Sequence, residues 1–151
     1  MTNNAGDDNR VTIHATAVAI SGAGMLIRGK SGSGKSDLAL RLIDRGAVLI
    51  SDDQVNVQRL EDSLLLSPPA SLAGKLEVRS LGICEREHVS GIELKLIVDL
   101  KGQPDRFPMA KQDTFLLGIN VPTCTLDAME TSAAIKAELA LQRIMQGALK
   151  S

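Results

Sequence analysis

The sequence has no tryptophan and no tyrosine, and only two phenylalanines in 151 residues. Proteins that grip single-stranded nucleic acid do so on aromatic stacking platforms, so that class of function is close to excluded. Leu, Ile, Val and Ala must fill the core instead. Cysteine is scarce as well: Cys84 and Cys124 lie far apart, without the C-x-x-C spacing of a metal or redox site. They are expected to be reduced, packing thiols of a cytoplasmic protein. Long apolar runs are missing, and none approaches membrane-spanning length. The polar opening from Met1 to Arg10 lacks the apolar core of a signal peptide. It is expected to be a flexible N-terminus (1–10) ahead of one domain over 11–151. An excess of one charge is also absent. Seventeen Lys and Arg against eighteen Asp and Glu leave a formal net charge of −1, which argues against general affinity for nucleic acid or membrane surfaces.

What is present is Gly29-Lys30-Ser31-Gly32-Ser33-Gly34-Lys35-Ser36, a full match to G-x-x-x-x-G-K-[ST], the phosphate-binding loop. Its glycines permit a tight loop whose backbone N–H groups face a polyphosphate. Lys35 puts an ammonium near the terminal phosphates. The Ser36 hydroxyl can reach a Mg²⁺, and the helix starting there adds its positive end. The flanks fit this reading: an apolar run, Gly24 to Arg28, leads in, and an amphipathic helix leads out.

Val11 to Ser21 reads as one strand, Gly22-Ala23-Gly24 as a turn and Met25 to Arg28 as a second, antiparallel strand. Ser36 to Arg45 reads as a helix with Leu38, Ala39, Leu42 and Ile43 on one face, ended by Arg45-Gly46. Ala47 to Asp53 is a buried strand ending in two carboxylates. Because Asp53 follows Lys35 by only 18 residues, that strand is expected beside the one that enters the loop. Gln54–Leu60 and Leu64–Ser67 form a hairpin closed by Pro68-Pro69. Ala70 to Lys75 is a loop with room for a helical turn, followed by Leu76–Arg79 and Ser80–Cys84. Ile92 to Leu100 alternates with its even positions apolar, as in a half-buried strand. Lys101 to Asp113 reads as a mobile surface loop, and Thr114 to Val121 as the last strand, stopped by Pro122. Asp127-Ala128-Met129-Glu130 resembles a capping box, with helix to about Leu149 presenting Ala137, Leu141, Ile144 and Ala148 on one face.

Nearby acids decide what happens to a bound phosphate. One of Asp52 and Asp53 is expected to help hold Mg²⁺, directly or through water. The other can take the proton of an attacking hydroxyl. Adjacent strand residues point to opposite faces, so one of the two faces the nucleotide. Spacing alone favours a structural role for His14, although an imidazole suits contact with a phosphate or carboxylate. Glu77 and Arg79 share a strand and a face by the two-residue repeat. Without further context they read as a solvated face, while chemically they suit Mg²⁺ ligation and charge neutralisation. His88, in a charged loop, has no assigned role.

Together these residues resemble the C-terminal catalytic domain of the bacterial HPr kinase/phosphorylase family. The resemblance is carried by His14-Ala15-Thr16-Ala17-Val18, by Gly24 through Leu40, by Leu42-Ile43-Asp44-Arg45-Gly46, by Leu49 through Val55, and by Glu77-Val78-Arg79-Ser80-Leu81-Gly82-Ile83, similar to the family's second signature. It implies an α/β fold with a mixed sheet, like that of phosphoenolpyruvate carboxykinase, in which a hairpin leads into the loop and a helix closes the chain. It also implies an ATP- and Mg²⁺-dependent serine kinase acting on HPr or an HPr-like phosphocarrier of a phosphotransferase system, in a homo-oligomer. By the same resemblance Asp53 is the general base, His14, Lys35 and Arg79 belong to the active site, and Ser36 and Glu77 touch Mg²⁺.

Three departures stand out. Only about ten residues precede the first strand in this sequence, so a short form resembling those of alphaproteobacteria, without the family's usual N-terminal domain, is expected. Ser80 stands where the second signature usually has Gly. The later Pro- and Arg-rich loop tied to phosphorolysis falls near Thr125–Glu130, where there is neither Arg nor Pro, and no Arg occurs between Arg106 and Arg143. Inorganic phosphate and pyrophosphate need cationic partners, so kinase activity with weak or lost phosphorolysis is expected unless Arg106 substitutes. Two alternatives use the same loop: a small-molecule kinase, which needs an enclosed acceptor pocket, and a non-catalytic nucleotide- or phosphate-sensing regulator of a two-component system.

Overall fold

A computed structural model of the chain describes residues 9–102 and 112–150, with side chains as far as Gly147. The expectations for the N-terminal tail before Asn9, for most of the loop after Lys101 (Arg106 included) and for Ala148 lie outside the described residues.

The stretch expected as one strand is two, β1 (Arg10–Ile13) and β2 (Thr16–Ile20). The chain divides at His14-Ala15 because its two halves serve different partners. β1 pairs antiparallel with β5 (Val55–Leu60), while β2 pairs antiparallel with both β3 (Ala23–Arg28) and β4 (Val48–Ser51). The hairpin into the phosphate loop is therefore β2–β3. Its turn is Ser21-Gly22, with φ of 51° and 80°, the two left-handed central residues that suit the right-handed twist of a two-residue hairpin. Ala23 and Gly24 belong to β3, not to the turn. A Cβ on Gly24 would lie 2.7 Å from the Glu93 carbonyl oxygen, so the glycine is required by close approach of strands.

β9 (Ile92–Leu100) is the trunk of the main sheet. β3 runs parallel along one side of it; β6 (Ser63–Ser67) and β11 (Ile119–Leu126) pair with its beginning and its end. The sheet order is β1-β5-β6-β9-β3-β2-β4, with β10 (Gln112–Leu116) attached through β11. β4 was expected beside β3, but it lies one strand farther out, against β2. The hairpin partner and β9 already occupy both edges of β3, so the returning strand takes the next free edge. Since β2 is antiparallel to both neighbours, β4 still runs in the same direction as β3. β3, β4, β9 and β11 thus deliver their carboxyl ends to one edge of the sheet, the usual position of a ligand site in α/β folds.

Two apolar layers flank this sheet. On one face, Met25, Ile27, Leu96 and Val98 pack under α1 (Lys35–Asp44), through Leu38, Ala39 and Leu42, and under α2 (Ala133–Lys150), through Ala137 and Leu141. On the other face, Ala17, Leu26, Ile50 and Ile97 meet Val55, Val57, Leu64 and Leu66 of the curled β5–β6 hairpin. From Leu96 onward the even positions of β9 face the helices, but the strand is not half-buried as expected, because Ile97 is fully buried on the opposite face. The register with β3 slips between Leu94 and Leu96, and Leu94 joins the opposite layer beside Ile97. A bulge of this kind reverses the side-chain alternation.

Beyond β9 the expected single strand is a hairpin, β10–β11, turning at Leu117-Gly118 with φ of 50° and 81°. Pro122 does not stop it. It lies inside β11, and the parallel ladder to β9 begins only at Thr123. The capping box is also corrected. The Asp127 carboxylate accepts from the Met129 amide, and α2 begins only at Ala133, with its first backbone bond running from Lys136 to Ser132. Short side-chain bonds of Asp to the residue two ahead compete with helix initiation. β7 (Lys75–Val78) and β8 (Gly82–Glu85) form a separate two-stranded unit after a single 3₁₀ turn at Ala70–Leu72. Its return strap covers part of the β4 edge, with the Val89 amide donating to the Leu49 carbonyl.

Both cysteines are free thiols. Burial, with a smaller contribution from Asp99, pushes the Cys124 thiol up to about 11. At pH 8 the reactive thiolate of Cys124 is therefore scarce, and an alkylating reagent is expected to label Cys84 well before Cys124 in the native protein, as peptide mapping over time will show. In the sheet, Gly24→Ala is expected to lower the unfolding free energy by about 1–3 kcal/mol in urea titration, the cost of forcing strands apart.

Candidate active site

The phosphate loop leaves the carboxyl end of β3 and returns as α1. Gly29 lies against Ser33 and Leu100, where a Cβ would come within van der Waals overlap of the Ser33 side chain. Gly32, at φ 82°, and Gly34, at φ 101°, both adopt left-handed backbone, which glycine enters without steric cost. A Cβ on Gly32 would meet nothing within 4 Å, so the crest of the loop is open. The Ser33 amide bonds to the Lys30 carbonyl at 2.9 Å. Lys35 is 8% exposed, and its ammonium donates to the Gly29 and Lys30 carbonyls at 2.9 and 3.0 Å. The loop thus carries its cation on its own backbone oxygens.

The two aspartates follow β4, which ends at Ser51; they form a turn and not the last rungs of the strand. The turn separates their environments. Asp52 is 5% exposed. One of its oxygens accepts from the hydroxyls of Thr16 (2.8 Å) and Ser36 (2.7 Å), and the other accepts from the Glu77 amide (2.9 Å). A buried carboxylate needs such donors to remain charged. Because Ser36 donates its proton to Asp52, its oxygen keeps lone pairs with which to accept.

Asp53 turns the other way. The Gln54 amide bonds back to the Asp52 carbonyl at 2.9 Å across Asp53, whose φ is 74°, the bond and dihedral of a γ-turn in its strained, positive-φ form. Strain of this kind costs on the order of 1–3 kcal/mol and persists only where neighbours hold it. Here the Ala15 amide donates to the Asp53 carbonyl, and the Ser51 hydroxyl bonds to the Gln54 carbonyl. The Asp53 carboxylate is 61% exposed and lies 3.6 Å from Nε2 of His14, itself 58% exposed. That distance is longer than a hydrogen bond, and the contact is an ion pair only when the imidazole is protonated.

Glu77 is brought to this edge by its amide on Asp52, and its side chain is exposed on β7. Arg79 does not share that strand. It occupies the turn Val78-Arg79-Ser80-Leu81, closed by the Leu81 amide on the Val78 carbonyl at 3.0 Å. Ser80 sits at φ 73° in that turn. The residue that departs from the family's glycine therefore holds a left-handed conformation that costs an L-residue roughly 1–2 kcal/mol. His14, Lys35, Ser36, Asp52, Asp53 and Glu77 converge on one edge; Arg79 stands exposed at the tip of the adjoining hairpin.

Two contributors carried only weak signals in the sequence. Thr16 is a single buried hydroxyl between alanines, legible only as a polar residue in an apolar strand. Arg41 reaches from α1 to the carbonyls of Ala128 and Glu130, a contact between segments that no local pattern announces.

The oxygen-rich set at Ser36 and Asp52, with Glu77 adjoining, fits Mg²⁺, which takes one or two protein oxygens and completes its shell with water and phosphate. No group of three or more His, Cys, Asp or Glu suited to an all-protein metal cage occurs among the described residues. The open crest at Gly32 and the buried Lys35 fit a polyphosphate. Asp52→Asn is expected to destabilise the fold by about 1–3 kcal/mol, because an amide nitrogen cannot accept from the Glu77 N–H; chemical denaturation measures the loss.

The model of the HPr Serine kinase C-terminal domain family matches residues 8–145. The chain is 36% identical over 146 residues to an HPr kinase/phosphorylase of Burkholderia lata, covering 88% of this chain and 45% of that protein. It is 37% identical over 126 residues to one of Clostridium botulinum, covering 76% and 41%. The chain thus spans less than half the length of the curated relatives it matches. Its structure is similar to the HPr(Ser) kinase/phosphatase from Coxiella burnetii, with a TM-score of 0.79 and 27% identity over 93% of this chain and 99% of that one. With a family model matched over residues 8–145 and relatives of this identity, the chain belongs to the HPr serine kinase C-terminal domain family.

Proposed function

We propose that the protein is an ATP- and Mg²⁺-dependent serine kinase acting on HPr or an HPr-like phosphocarrier in the cytoplasm, in an oligomer of like chains. The observation that carries this reading is the division between the two aspartates. Asp52 is buried and committed to Ser36, whereas Asp53 is presented outward beside His14. A proton acceptor exposed to this degree suits a serine on another protein better than a small metabolite, which needs an enclosing pocket. A regulator that only senses nucleotide has no need of the strained turn that presents Asp53.

In this reading the loop amides from Gly29 to Ser36, with Lys30, Ser31 and Ser33 among them, cradle the phosphates, and Lys35 exchanges its backbone carbonyls for phosphate oxygens. Ser36, Glu77 and Asp52, directly or through water, would hold Mg²⁺, which when bound supplies neutralisation of the transferring charge. Asp53 takes the proton of the acceptor serine, and His14 orients that carboxylate. Arg79 would meet the transferring phosphate or the partner from the hairpin tip. The relatives are named as phosphorylases or phosphatases as well as kinases. For this chain weak phosphorolysis is expected, because Thr125–Glu130 supplies no cation for inorganic phosphate.

Asp53→Asn is expected to lower serine phosphorylation of the carrier by about 10²–10⁴-fold, the usual contribution of a general base, while leaving ATP affinity within about twofold. Labelled ATP with candidate carriers, and nucleotide titration in parallel, test both halves. Retained phosphorylation with nucleotide bound would falsify the assignment.

A further inference from the structure

The segment between β11 and α2, Asp127–Ser132, is folded onto the phosphate-loop helix by one side chain. Arg41, in the middle of α1, donates from one terminal nitrogen to the Ala128 carbonyl at 2.5 Å and from the other to the Glu130 carbonyl at 3.1 Å. Its Nε lies 3.1 Å from Asp37, one turn earlier on α1, as an ion-pair contact without hydrogen-bond alignment. The segment is braced from within as well. Asp127 accepts from the amides of Met129 and Glu130, and Lys136 bonds both oxygens of the Glu130 carboxylate at 3.1 Å.

This arrangement places Ala128 on the phosphate loop. Ala128 is buried, and a Cβ built on Gly34 would come within 2.9 Å of the Ala128 methyl. Gly34 is the left-handed residue that turns the loop into α1, immediately before Lys35. The Ala128 methyl therefore abuts the backbone whose amides and lysine face the ligand.

We infer that Arg41 is a positioning residue for nucleotide binding: by bridging two carbonyls it seats Ala128 against Gly34 and holds the phosphate loop in its binding shape. The inference rests on the reading of this loop as the nucleotide site. An ammonium can also meet two carbonyls, as Lys35 does, but only the guanidinium holds its donors in a rigid planar fork, on two separate nitrogens, that fixes the spacing of the carbonyls it bridges. The charge matters less than the fork.

The test uses the intact chain with Arg41→Ala and Arg41→Lys, a fluorescent ATP analogue with Mg²⁺, thermal unfolding, and amide hydrogen exchange. Both variants are expected to weaken nucleotide binding roughly fivefold to twentyfold, as loss of one or two charge-assisted bonds partly transmitted to the loop. Exchange at Met129, Glu130 and Ala133 rises in both, and Arg41→Lys keeps the thermal midpoint within a few degrees of the unaltered chain. If Arg41→Ala does not fold, Arg41→Lys decides. Unchanged affinity in a folded variant, or full rescue by lysine, overturns the inference while leaving the loop's function standing. If the unaltered chain binds no nucleotide, the reading of the loop fails and the positioning role with it.

Discussion

One buried carboxylate ties this site together. Asp52 gathers the Thr16 hydroxyl, the Ser36 hydroxyl and the Glu77 amide, partners that lie 36, 16 and 25 residues away along the chain. These come from the start of β2, the start of α1 and the β7–β8 hairpin. A charge withdrawn from water is tolerable only when its lone pairs are met. The burial of Asp52 therefore demands that all three segments arrive together. The hairpin, the phosphate loop and the small second sheet are held in register by this demand, and the apolar layers above and below supply the driving force.

Much of this was legible from residue order because it is local. The phosphate loop, the hairpin before it, the apolar face of α1 and the β5–β6 hairpin all follow from spacing within a few residues, and all are present. Family resemblance extended that reading to the mixed sheet and to the family itself. What escaped was set by partners remote in sequence. Nothing around His14 shows that the strand must divide there, since the reason is a choice between β5 and β3. β4 was misplaced by one strand because the occupancy of both β3 edges is a property of the whole sheet. Pro122 was read as a stop, yet the parallel ladder to β9, which needs its amide donors, begins one residue later. Asp127 and Glu130 had the spacing of a cap, but a shorter side-chain bond took precedence.

The site inherits its layout from strand direction. Because β2 is antiparallel to both neighbours, the ends of β3 and β4 meet on one edge even though they are not adjacent. The insertion of β2 brings Thr16 to that same edge, so the displaced strand order is what supplies Asp52 with one of its donors. The relation to the family is thus expressed in topology as much as in motif. The structural relative from Coxiella burnetii shares the architecture over nearly its whole length at modest identity.

The γ-turn at Asp53 bears on how an exposed group can also be a fixed one. Solvent-facing carboxylates ordinarily sample many orientations, and ordering one during a reaction costs conformational entropy. At Asp53 the backbone on either side is bonded to Ala15, to Asp52 and, through Gln54, to Ser51, so only two short side-chain torsions remain free. The carboxylate can meet a partner as large as another protein without a pocket to hold it still. Openness toward the acceptor and readiness for a directed proton transfer, usually in competition, are here assigned to different atoms: the side chain is left in the open, and the main chain does the aiming.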